Sequence, residues 1–99
     1  MQLPSQPDKF KLFLLCVDRG GVKRGARLYD FCEDWAAAVD ANRGAVSMNE
    51  YSAWTRRYSS RTAYSRLAEF RAAFPELGPE GRPDALMGPL LDRLASEVE

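Results

Sequence analysis

Apolar residues recur along this chain mostly at helical spacing. Phe10, Phe13, Leu14 and Val17 stand at i, i+3, i+4 and i+7, which predicts a helix capped by Asp8 and stopped at Gly20-Gly21. The stretch KFKLFLLCV also alternates in part, so a strand stays open there, with the helix favoured. VKRGAR leads into a second helix, marked by Leu28, Phe31, Cys32, Trp35 and Val39 and ended by the Asn42 to Gly44 punctuation. Ser47 and Glu50 have the spacing of a capping box, and Tyr51, Trp54 and Tyr58 give a short third helix one apolar face. Ser59-Ser60 resets the period. Ala63, Leu67, Phe70 and Phe74 then share a narrow arc of a fourth helix, which Pro75 ends. ELGPEGRP reads as a turn or linker, and Leu86, Leu90, Leu91, Leu94 and Val98 form a last stripe. The pattern predicts an all-α fold, a compact bundle of about five helices. It forms a single domain over 1–99, with a flexible arm at 1–7 and a C-terminal helix at 84–99.

Composition narrows the function. A chain of 99 residues supports one modest core but not a core plus a deep, walled active site, so binding is expected rather than catalysis. There is no histidine, no P-loop and no nucleophile elbow. No enzyme activity and no cofactor are expected. Cys16 and Cys32 lie in apolar runs without CxxC spacing, which suits buried, reduced thiols better than a disulfide or a metal site. Asp30, Glu33 and Asp34 flank their apolar stripe with no ligand partner and receive no chemistry. The apolar run Leu12 to Val17 is too short for a signal peptide or membrane span, so a cytoplasmic location is expected. Trp35, Trp54, Tyr51 and Phe31 read as core.

Formal charge is zero, yet it is unevenly distributed. Between Ser47 and Phe74 stand Arg56, Arg57, Arg61, Arg66 and Arg71 against only Glu50 and Glu69. After Pro75, Arg82 and Arg93 face Glu76, Glu80, Asp84, Asp92, Glu97 and Glu99. The middle is cationic and the tail anionic. From Ala53, a small residue where two helices would meet closely, a short connection leads to Ser59 and the stretch SSRTAYSRL. This segment, 47–74, resembles the helix-turn-helix family of bacterial and phage DNA-binding proteins. Arg57 stands at the turn position where that family prefers glycine, and Ser52 at a usually apolar one. No glycine-tipped hairpin follows, so no wing is expected.

The resemblance implies sequence-specific binding of duplex DNA, as in a transcriptional regulator, with the second helix of the motif in the major groove. A helical wheel turns Arg61 and Ser65 away from the apolar arc as candidates for base contacts, with Arg71 on one flank. Ser60 and Thr62 at the helix start suit a phosphate, and Arg56 and Arg57 suit backbone neutralisation. Lys23 and Arg24, with Arg27, form a candidate second clamp. Arg66, nearer the apolar arc, is expected to lie half-buried along its stem. One reading helix normally needs two half-sites, so a homodimer is expected, with Leu86, Leu90, Leu91, Leu94 and Val98 as its face or else as a lid on the monomer's own core. The plain alternative is a solvated basic surface. The functional alternative is an adaptor or inhibitor on the same scaffold that meets a protein partner, with the acidic C-terminal segment as a further docking element. Richness in Ala, Arg and Gly fits a GC-rich bacterial or phage genome.

Overall fold

A computed structural model describes residues 7–83, 93, 94 and 96. The first helical run, α1 (Pro7–Asn42), covers 36 residues and is interrupted at Gly21, whose φ of 82° and ψ of 178° lie outside helical space. Such a positive φ is open to glycine at little steric cost. The chain doubles back there. Lys9 Nζ reaches Glu33 at 3.2 Å, the Phe13 and Tyr29 rings meet edge-on at 5.4 Å, and Gly25 lies against Val17. These contacts make α1 a helical hairpin, with an N-terminal limb before Gly21 and a C-terminal limb after it. A Cβ on Gly25 would stand 2.5 Å from Val17 Cα, so a glycine at this position lets the two backbones touch.

Two expectations change here. VKRGAR is part of the C-terminal limb and not a lead-in, because the whole reversal takes place at Gly21. The helix begins at Pro7, where a missing N–H costs nothing in a first turn, so Asp8 lies inside it. The rest of the expected arm lies outside the described residues. On the N-terminal limb Phe13 is buried as expected and Val17 is half-buried, but Phe10 and Leu14 are exposed, while Leu12, Leu15 and Cys16 face inward. The limb is turned from its expected register because it must pack on both its sister limb and α3. No strand occurs among the described residues.

The C-terminal limb is the centre of the core. Phe31 meets Tyr51 edge-on at 5.6 Å and tilts against Trp35 and Phe70 at 5.8 and 6.2 Å. Around it lie Leu28, Cys32, Trp35, Ala63, Leu67 and Phe74, all buried. Helix α2 (Met48–Thr55) starts on a complete capping box between Ser47 and Glu50. Helix α3 (Ser60–Ala73) starts on Ser59, whose hydroxyl accepts from the Thr62 N–H. A 3-10 turn at Pro75–Leu77 follows.

The segment after it is seated on the core and is no free linker. Arg71 Nε donates to the Gly81 carbonyl, Arg82 donates to the Val46 carbonyl, and Pro83 is buried. Of the last apolar stripe, Leu94 is buried in the chain's own core. Leu86, Leu90, Leu91 and Val98 lie outside the described residues. No helix among the described residues is long and apolar enough to cross a membrane.

Candidate nucleic-acid interface

The unit 47–74 consists of two helices joined through residues 56–59. Its turn is held by Asp34 on the C-terminal limb of α1. One Asp34 carboxylate oxygen accepts from the Tyr51 hydroxyl at 2.8 Å and from the Thr55 hydroxyl, and the other lies 3.6 Å from the Arg57 guanidinium. The Tyr51 and Tyr58 hydroxyls share a hydrogen bond of 2.6 Å. Burial, with hydrogen bonds to Tyr58 and Asp34, pushes the Tyr51 hydroxyl well above its usual pKa of 10.0. Both ends of the turn are therefore tied to one carboxylate. Sequence reasoning assigned Asp34 no chemistry, since nothing local announces partners so far along the chain.

The left-handed residue of the turn is Arg56, with φ 52° and ψ 5°, and not Arg57. The helix contact moves by one residue as well. Ser52, not Ala53, meets α3, through a hydroxyl–hydroxyl bond of 2.8 Å to Ser60, while Ala53 is exposed. Insertion of Tyr51 between Phe31 and Asp34 sets the rotation of α2 and so fixes this register. The same rotation turns Trp54 outward to 43% exposure, against its expected place in the core. Tyr51, Phe31 and Trp35 are buried as expected.

Helix α3 has two distinct faces. Ala63, Leu67 and Phe70 are buried, with Phe74 just beyond the last turn. Arg61, Ser65, Ala68 and Ala72 are exposed on the opposite side. Tyr64, 49% exposed, borders this arc where its hydroxyl reaches Asn49 of α2 at 3.4 Å. Neither the Arg61 nor the Arg56 side chain has an ion pair or hydrogen bond among the described residues.

Other candidates are already engaged. Ser60 bonds Ser52, Thr62 bonds Ser59, and Arg71 is turned to Gly81. Arg57 is paired with Asp34 but keeps half its side chain in solvent. Arg66 lies along the Tyr58 ring at 6.0 Å and near Glu69 at 3.8 Å, half-buried as its place on the wheel implied. Arg27 meets the same Glu69 carboxylate at a single contact of 3.5 Å. Lys23 and Arg24 are exposed at the bend of α1. Their neighbour Arg19 reaches Ala73 and Glu76, so the bend stands at the C-terminal end of α3, about 20 Å from Ser60 by helical rise. They do not join the residues at its start.

Arg19 was not singled out from sequence. Its guanidinium donates to both Glu76 carboxylate oxygens at 2.9 and 2.8 Å and to the Ala73 carbonyl, and lies over the Phe74 ring. The hydrogen bond from Arg19 holds the Glu76 carboxyl below its usual 4.5. Among the described residues no three His, Cys, Asp or Glu side chains gather in a way that could hold a metal ion. No family model, no curated protein and no solved structure matches this chain.

Proposed function

We infer that the protein binds duplex DNA, laying the exposed arc of α3 in the major groove in the manner of a helix-turn-helix regulator of transcription. One observation carries this reading. Arg61 stands free on an arc whose other residues, Ser65, Ala68 and Ala72, are small, while Arg66 and Arg71 on the same helix are engaged elsewhere. A helix enters the major groove only if its facing side chains permit close approach, and a free arginine can donate two hydrogen bonds to guanine O6 and N7. Ser65 lies one turn from Arg61 and can reach the adjacent base edge. Arg56 and Arg57, beside the start of α3, suit phosphates of the groove wall. Two half-sites would need a homodimer, whose face must lie elsewhere than Leu94. Light scattering at high concentration decides this: a clean monomer removes the dimer.

Selection from a random duplex library, followed by anisotropy titrations at two salt concentrations, tests the reading. A recovered motif on which Arg61→Ala costs about 1–3 kcal/mol is the expected outcome. An unenriched library with binding erased at modest salt would sink it. The exposed Trp54 favours a second reading, an adaptor that meets an acidic protein, since exposed tryptophans are frequent anchors of protein interfaces. In that case Trp54→Ala abolishes capture of the protein partner, and no DNA motif appears.

A further inference from the structure

Tyr64 is the only exposed aromatic side chain among the described residues of α3, at 49% exposure. A scattered exposed ring signifies nothing by itself. This one is tied, since its hydroxyl donates to the Asn49 side-chain oxygen of α2 at 3.4 Å. A ring held at its tip has less freedom to lose when a ligand meets it. Exposed Ala68 follows one turn on, at the i+4 spacing of helix neighbours, so a methyl group borders the ring. Arg61, whose side chain meets no protein group among the described residues, stands one turn before it. The result is a small apolar step beside an available guanidinium, and contacts to guanine and phosphate leave that step unused.

We propose that Tyr64 and Ala68 are a specificity site for a 5-methylpyrimidine in the base pair next to the guanine that Arg61 contacts; this rests on the DNA-binding reading of α3. The apolar group that an A·T pair carries in the major groove is the C5 methyl of thymine, and 5-methylcytosine carries the same group at the same place. Residues 61 and 64 lie about 4.5 Å apart along the helix axis, within reach of one base-pair step of about 3.4 Å. A guanidinium on one guanine therefore sets the tyrosine ring at the methyl of the neighbouring pair. Seated between the ring and the Ala68 side chain, that methyl leaves water, which is worth about fourfold in affinity. Cytosine and uracil lack the group, so the step discriminates without a hydrogen bond. Alanine at 68 leaves the room that a longer side chain would fill.

The test takes the duplex recovered from random-library selection and alters the base pairs on either side of the guanine for which Arg61→Ala loses its preference. Wild type and Tyr64→Ala are then titrated by anisotropy. Where a neighbouring pair is A·T, deoxyuridine in place of thymidine should weaken the wild type about fourfold and leave Tyr64→Ala unmoved. Where it is G·C, 5-methylation of the cytosine should tighten the wild type about fourfold and again leave Tyr64→Ala unmoved. The first result names thymine as the source of the methyl, the second 5-methylcytosine. The methyl is changed on the DNA alone, so the wild-type arm stands whatever the substitution does to the fold. A methyl effect absent from the wild type, or equal in both proteins, overturns the inference and leaves the DNA-binding reading standing. So does a Tyr64→Ala that weakens every duplex alike, the mark of a backbone contact. A library that stays unenriched with wild type removes the reading and the inference together.

Discussion

The two ends of α3 use arginine in opposite ways. At the C-terminal end Arg19 clamps Glu76 and the Ala73 carbonyl, Arg71 holds Gly81, and Arg27 reaches Glu69. At the N-terminal end the Arg56 and Arg61 side chains meet no protein group among the described residues, and Arg57 is held only loosely. The dipole of α3 favours cations at the first of these ends and disfavours them at the second, while Arg56, the C-cap of α2, is favoured by the dipole of that helix. Arg61, left free in the first turn of α3, is the cation that a polyanion would reward. A count of charges along 47–74 treats all five arginines alike, and only their partners separate structural cations from available ones.

The sharpest test of α3's two faces is Phe70→Ala, expected to cost about 3–5 kcal/mol in urea unfolding because it empties the centre of the core. Ser65→Ala, one face away, should stay within about 0.5 kcal/mol. Similar losses for both would erase the distinction between the faces.

Next in size is Arg19→Leu, which removes the clamp at the C-terminal end. It should destabilise by about 2 kcal/mol, against less than about 0.5 kcal/mol for Arg61→Ala. The clamp also has a pH signature. Glu76 has a depressed pKa in the folded state, so its contribution is fully present above 4.5 and is lost as pH falls through the lower folded value. Acid titration of stability should therefore flatten in Arg19→Leu; an unchanged acid limb would show that Arg19 is not what holds Glu76.

The alkaline limb should point back to the core. Burial, reinforced by Glu33, pushes the Tyr29 pKa up to about 12, so its contribution is complete below 10.0 and fades as pH rises through about 12. Tyr29→Phe should remove part of that alkaline loss, as read from thermal melts over this range.

The smallest effect separates strain from function at the turn. Arg56 holds a left-handed backbone that costs a non-glycine residue roughly 1 kcal/mol, so Arg56→Gly should stabilise the fold by about 0.5 kcal/mol. If Arg56 also meets a phosphate, the same change lowers the salt slope of DNA binding by about one. Stabilisation with an unchanged salt slope would leave the residue a turn former only.

Much of the local structure was legible because its causes lie close in sequence. The capping box at Ser47, the cap at Ser59, the stop at Phe74-Pro75 and the break at Gly21 are satisfied within a few residues. The inward arc of α3 was legible for the same reason, since helical spacing fixes which side chains share a face. The one-residue shift of the turn, the exposure of Trp54 and the role of Asp34 were not. Each depends on where Tyr51 meets α1, at a separation of 17 residues for its bond to Asp34.

By itself the chain determined its helices, their caps and the division of α3 into an apolar and a polar face. These follow from periodicity and from hydrogen bonds that close within a turn. Tertiary structure alone decided that the two limbs of α1 pack as a hairpin, and which arginines remain free. Arg19 finds its partners 54 and 57 positions away, and no local pattern encodes such a meeting. Helical spacing assigns a side chain to a face, but only packing decides whether an opposite charge is waiting there.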